Sequence, residues 1–148
     1  MLYQSEHASA DSADRVRRST AARVNLKIDR LTDANIRRYA AADRDEIQRR
    51  IDELDSEWDI ERALEVNAPI IAMTGLALGV TMNKRWLALP AVVLAFLFQH
   101  GVQGWCPPLP ILRRLGFRTR GEIDREKYEL KAVLEGLVPQ IEQGLHAR

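Results

Sequence analysis

The chain has 148 residues, 46% of them apolar and 29% charged, which predicts one modest domain or a short domain with tails and excludes a large multidomain enzyme. The net charge of +1 lacks the basic excess of nucleic-acid-binding proteins, so we expect no nucleic-acid partner. One cysteine, Cys106, excludes an intramolecular disulfide, and the three histidines stand far apart, so no metal site and no cofactor are predicted.

Charge is divided unevenly along the chain. Residues 1–67 carry a net charge of −3, residues 68–106 contain two basic residues and no acid, and residues 107–148 carry +2. We therefore predict four parts: a mobile tail over 1–22, a helical arm over 23–67, an apolar hairpin over 68–106, and a basic segment with a C-terminal helix over 107–148. The N-terminus has no long apolar run, so we expect any membrane insertion to use the internal segments.

The first part of the helical arm is predicted to contain two short helices. A short helix is predicted where apolar residues recur at Val24, Ile28 and Leu31, although residues 24–28 also alternate like a strand. Thr32 or Asp33 is expected to cap a further short helix that ends near Ala42.

A longer helix is predicted from Asp43 toward Asn67. Asp43 and Glu46 have the spacing of a capping box, and a narrow apolar seam follows at Ile47, Ile51, Leu54 and Trp58. Residues 43–66 hold ten acids and four arginines, which indicates a solvated helix face or, alternatively, a docking surface for a partner.

Two uncharged stretches dominate the middle of the chain, residues 68–82 and residues 86–105, with only residues 83–85 between them. A bilayer span of about 30 Å needs about 20 residues. The second stretch is long enough, whereas the first is short unless it continues the preceding helix, or else it is re-entrant. Pro69 is expected in a first helical turn, where proline is tolerated. We predict an all-α fold: a two-helix transmembrane hairpin with cytoplasmic amphipathic helices before and after it.

Small residues and basic residues predict how such a hairpin would sit. Gly75 and Gly79 form a GxxxG pair, extended by Ala72, which predicts close helix packing within the hairpin or between copies in a homo-oligomer. Eight arginines flank the two spans and two cations lie in the loop, which predicts that both termini are cytoplasmic. The bilayer is the expected partner, with anionic lipid headgroups bound by basic side chains at Arg113, Arg114, Arg118 and Arg120.

Residues 104–119, GWCPPLPILRRLGFRT, carry a resemblance to a known family. They resemble the YgaP-like inner-membrane hairpin family at Gly104, Trp105, Cys106, Pro107, Leu112, Leu115, Gly116 and Thr119. The resemblance covers about residues 59–119 and implies a small bacterial two-helix domain in the inner membrane. Some members also carry a rhodanese domain, which suggests thiol chemistry at Cys106. Three prolines at 107, 108 and 110 remove the amide donors that a rhodanese loop needs, so no rhodanese site is predicted.

A second capping box, Thr119 with Glu122, is expected to open a C-terminal helix that ends near Glu135, before Gly136 and Pro139. Its apolar face is predicted to pack on the seam of the first arm through Ile123, Leu130, Val133, Leu134 and Leu137.

Three functions follow from these patterns. The favoured one is a non-enzymatic membrane anchor, scaffold or oligomerisation module, because no catalytic motif is found. The alternatives are a membrane thiol or persulfide-handling protein that uses Cys106, and a soluble helical-bundle regulator. His100 lies in the last third of the second span, where a proton or ligand role competes with simple hydration at the interface.

Overall fold

A computed structural model describes residues 15–146, with side chains described to residue 136. Within that range the chain is helical and has no strand, as predicted. The helices are α1 Ala22–Ala40, α2 Arg44–Ser56, α3 Ile60–Thr81, α4 Ala88–Gln103, α5 Leu109–Leu115 and α6 Arg120–His146, with a 3-10 turn, Lys84–Leu87, between α3 and α4.

The predicted tail is wrong for residues 15–22; residues 1–14 lie outside the described range. Residues 15–18 are helical, and Val16 is buried against Ile60 and Leu64 of α3. Thr20 closes this turn by donating from its hydroxyl to the carbonyl of Val16, 2.7 Å away. Burial of one valine and a local hydrogen bond therefore fix a segment whose composition resembles that of a disordered tail.

The helix α1 replaces the two short helices predicted over residues 24–42. Thr32 does not cap a helix; it lies inside α1 with 2% exposure and accepts a hydrogen bond from Arg118 Nη1, 3.3 Å away. The predicted cap is wrong because the hydroxyl of Thr32 bonds to a side chain that is distant in sequence and not to a backbone N–H at a helix start.

The long helix predicted from Asp43 begins as expected but ends early. Asp43 accepts a hydrogen bond from the backbone N–H of Glu46, 2.8 Å away, which confirms the predicted start. The helix stops at Ser56, because Asp59 caps a new helix by accepting from the N–H of Arg62 at 2.7 Å. The N–H of Ile60 bonds to the carbonyl of Arg118 at 2.9 Å, which fixes the break from outside.

The first apolar stretch belongs to α3, which has 22 residues and is about 33 Å long at 1.5 Å per residue. The apolar stretch therefore forms one continuous helix with the polar residues that precede it. Pro69 lies inside this helix and not in its first turn, contrary to prediction. Proline at that position has no N–H for the carbonyl of Glu65.

The described residues form two buried clusters. In one, Ile47, Ile51 and Leu54 of α2 pack on Ile123 and Leu130 of α6, as the apolar spacing predicts. Trp58 is not part of it: its side chain is 45% exposed and lies under Arg62. The other contains Val16, Ile60, Leu64, Cys106 and Leu109. We call residues 15–64 and 104–136 the cap, and residues 65–103 the helix pair.

The last helix is longer than predicted. The helix α6 continues through Gly136 and Pro139 to His146 instead of ending near Glu135. Its start follows the prediction: the N–H of Thr119 donates to Glu122 Oε2 at 2.9 Å, and the N–H of Glu122 donates to Thr119 Oγ1 at 3.3 Å. The capping box is confirmed.

Candidate functional site

Gly75 and Gly79 lie where α3 approaches the start of α4. A Cβ atom built on Gly75 would lie 2.7 Å from Pro90 Cδ, and one on Gly79 would lie 2.5 Å from Leu87 Cδ2. Ala72, one turn earlier, is half-buried. The small-residue track therefore packs within one chain, and a homo-oligomer through the same track stays a prediction that this contact does not support.

The outward faces of the helix pair are apolar and exposed. Two stretches, Arg44–Thr81 and Lys84–Gln103, are long and apolar enough to cross a membrane, and their most apolar windows are 22% and 0% buried. The core helix of a soluble protein would be mostly buried. The largest exposed apolar side chains on the pair include Met73, Val80, Leu94 and Phe98.

Two glycines of the family-like segment end helices. Gly104 closes α4 with φ 72° and Gly116 closes α5 with φ 98°. A left-handed backbone at these positions favours glycine. Of the other matched positions, Trp105, Pro107 and Leu115 are exposed.

Cys106 is buried in the cap and lies away from solvent. Its side chain packs with Val16, Ile60, Leu64 and Leu109, and burial raises the pKa of the thiol while a backbone interaction with Leu109 opposes the rise. A raised pKa disfavours the thiolate that nucleophilic chemistry requires. The surroundings suit a small packed side chain.

Arg113 does not face lipid, contrary to prediction. The residue is 1% exposed and forms a two-pronged pair with Glu122, Nη1 to Oε2 at 2.6 Å and Nη2 to Oε1 at 2.8 Å. Its Nη2 also donates to Asn25 Oδ1 at 2.8 Å, and its Nη1 to the carbonyl of Phe117 at 3.1 Å. A buried guanidinium needs such partners, so the charge is internal to the cap.

Arg118 is the second correction. It is 8% exposed and lies between two carboxylates: its Nε donates to Glu57 Oε1 at 2.8 Å, and its Nη1 pairs with Glu126. Arg50 of α2 approaches the same Glu126, with Nε 2.8 Å from Oε1. Arg114 is exposed, and Arg120 is 43% exposed and 3.3 Å from Asp124.

Glu122 and Glu126 lie one turn apart on α6, and each is shared by two arginines from other parts of the chain. Glu122 also pairs with Arg17, which holds Asp29 of α1 through two hydrogen bonds of 2.9 and 3.0 Å. Burial alone would raise the pKa of Glu122, but Arg113 and the N–H of Thr119 hold it below its usual value. These bridges join α1, α2, α5 and α6.

Sequence reasoning missed this network. Its signal was the spacing of Glu122 and Glu126, which places both carboxylates beside Ile123 and Leu130 on the buried face of α6. An acid on an apolar face predicts a buried cation partner. The sequence does not name which arginines would supply it.

The described residues contain no group of three or more acidic, histidine or cysteine side chains that could hold a metal ion. Comparison with protein-family models, curated proteins and solved structures finds no match to this chain. The resemblance of residues 104–119 to the YgaP-like family therefore stays a prediction from those residues.

Proposed function

We propose that the chain is a small integral membrane anchor of the bacterial cytoplasmic membrane, in which the helix pair crosses the bilayer and holds the cap at its surface. The observation that carries this proposal is the exposure of α4. The most apolar window of its stretch has a mean hydropathy of 1.4 and is 0% buried. In water that surface would be a large apolar patch, whereas in lipid it needs no protein cover.

The way in which the helix pair joins the cap supports a same-side arrangement of its two ends. The helix α3 begins among buried cap residues, and α4 ends at Gly104, which lies against Arg15. Arg15 Nη1 also donates to the carbonyl of Gly101 at 3.2 Å. Both polar ends therefore belong to one unit, and the excess of arginines in the flanks favours the cytoplasm for that unit.

The cap supports an anchoring or scaffolding role. Ion pairs join parts of the cap that are distant in sequence, such as Arg17 with Glu122 and Arg118 with Glu57. Such a unit presents a fixed surface to a partner. The burial of Cys106 favours this role over thiol chemistry.

A reporter enzyme that is active only outside the cytoplasm tests the topology. Fused after residue 148 it should give no signal, and inserted after Lys84 it should give a strong one. Strong activity at residue 148, or none at either position, would contradict the proposal.

A further inference from the structure

A cavity of about 490 Å³ separates the cap-proximal halves of α3 and α4. The helices touch at Gly75 and Gly79 near the turn, and no glycine of α3 lies on the cap side of Gly75. Larger side chains there, such as Ile71 and Leu97, line the space between the helices. The result is a wedge that is narrow at the turn and wide at the cap.

The lining of this wedge is almost entirely apolar. The helices contribute Ala68, Ile71, Val93 and Leu97, and the cap closes one end with Leu112 and Cys106. The cavity is a half-open cleft and not an enclosed void, and Ile71 in its lining is 44% exposed. Its volume lies within the range of about 300–1,000 Å³ typical of small-ligand sites.

Two polar side chains line the cavity toward its cap end, Asn67 and His100, and Asn67 Nδ2 donates to the carbonyl of Ala63 at 2.7 Å. His100 lines the cavity, and its Nδ1 is buried without a hydrogen-bond partner, a state that costs free energy unless a ligand or water relieves it. Arg15 lies just outside the lining and donates from its Nη1 to the carbonyl of Gly101, the residue after His100, at 3.2 Å. An apolar slot with a cation and an unpaired imidazole at one end fits an amphiphile with one hydrocarbon tail and an anionic head.

We propose that the wedge between α3 and α4 binds a long-chain fatty acid, with its tail between the helices and its carboxylate near Arg15 and His100. The inference rests on the membrane location proposed above, since the bilayer would deliver the ligand sideways. A single free chain is favoured over a phospholipid because the cavity is small and has one polar end. A lipid acyl chain and a free fatty acid share the tail chemistry, so the test must separate them.

The probe is a photoactivatable palmitic acid with a diazirine in its tail, added to the full chain in phosphatidylcholine vesicles. Peptide mapping by mass spectrometry should locate the label at residues 67–71 and 93–100, the parts of the two helices that line the cavity. Unlabelled palmitic acid should compete for these positions, and added phosphatidic acid with two chains should not.

Matched variants localise the effect. Val93→Trp fills the cavity and should reduce labelling about tenfold, whereas Val92→Trp, on the neighbouring exposed position, should leave it unchanged. Arg15→Gln should weaken competition by palmitic acid more than competition by palmitic alcohol. His100→Phe supplies a second variant should Val93→Trp fail to fold, as judged by helicity and vesicle flotation.

Label spread evenly over both helices and unchanged in both cavity variants would overturn the site and leave the membrane location standing. Equal competition by phosphatidic acid would overturn the choice of a single-chain ligand. A chain that does not float with the vesicles would overturn the membrane location and the site with it.

Discussion

Arg113 shows how one side chain decides between a surface and an interior role. Its position after an apolar span suggests lipid contact, but Glu122, Asn25 and the carbonyl of Phe117 take its donors inside the cap. Its Nε is the one donor atom of this guanidinium that lacks a partner. Loss of the arginine would leave the buried Glu122 carboxylate with Arg17 as its one described cation partner, beside the N–H of Thr119.

Arg113→Met should therefore destabilise the cap by about 3–5 kcal/mol, the usual result of removing one partner of a buried pair. Urea titration of helicity in detergent micelles measures the change. The control is Arg114→Met at the exposed neighbour, which should stay within about 0.5 kcal/mol of the parent. Equal effects from the two variants would contradict the assignment.

Glu122 also makes the stability of the cap depend on pH. Its pKa is lowered in the folded chain, with Arg113 as the main stabilising cause against burial. A lowered folded pKa gives stability that is present above the unfolded pKa and is lost as the pH falls through the folded value. The urea concentration at the unfolding midpoint should decrease as the pH falls below about 4.3, the ordinary pKa of a glutamate, and it should decrease less steeply in Glu122→Gln. A midpoint that rises on acidification would contradict the pairing.

Cys106 should behave as a packed thiol. Because burial raises its pKa, maleimide labelling of the folded chain should be slow near neutral pH and should accelerate on unfolding. Arg114→Gln should leave the pH midpoint of labelling unchanged, since this exposed arginine is not expected to act on the thiol. Fast labelling with a midpoint well below the usual value of about 8.5 would favour thiol chemistry instead.

At the scale of elements, short-range sequence patterns predicted the helix starts and buried faces that depend on neighbouring residues. Asp43 and Thr119 precede α2 and α6, and each accepts a hydrogen bond from the N–H three residues later, as their spacing predicts. The seam at Ile47, Ile51 and Leu54 is buried, as its period indicates. Distant contacts decided the rest. The break between α2 and α3 depends on a bond from Ile60 to Arg118, which no local pattern encodes.

The same division applies to the candidate site. The GxxxG spacing predicts a close contact at Gly75 and Gly79, and this contact with the start of α4 depends on the absence of a side chain at these two positions. Burial of Arg113 depends instead on Asn25, 88 residues earlier, and on Glu122. Apolar periodicity carries no information on partners so far apart in sequence. The sequence alone therefore predicted that the arginines after the second span lie on the lipid-facing surface.

The glycine contact gives a prediction with an internal control. Gly79→Ala would place a Cβ 2.5 Å from Leu87 Cδ2 and 3.3 Å from the Leu87 backbone nitrogen, and such overpacking costs about 1–3 kcal/mol. Gly101→Ala meets nothing within 4 Å and should stabilise α4 by up to about 1 kcal/mol. Detergent unfolding followed by circular dichroism measures both. The same sign of effect in both variants would contradict the helix contact.

At the scale of the whole molecule, the chain joins a charge-paired cap to an apolar helix pair. The two parts obey opposite rules: exposed apolar side chains are costly around a soluble cap and favourable around helices in lipid. Leu94 and Phe98 on α4 are 57% and 74% exposed, and Leu26 and Leu31 on α1 are 54% and 55% exposed. Arginine substitutions at these two exposed pairs therefore test whether a bilayer or water surrounds α4.

Alkaline carbonate extraction of membranes from cells that express the full chain tests the membrane location most directly. The parent chain should stay in the pellet, and so should Leu26→Arg/Leu31→Arg. Leu94→Arg/Phe98→Arg should lose insertion, since each arginine near a span centre costs about 2.5–3.5 kcal/mol. Release of the parent chain into the supernatant, or a Leu94→Arg/Phe98→Arg chain that is soluble with unchanged helicity, would contradict the account.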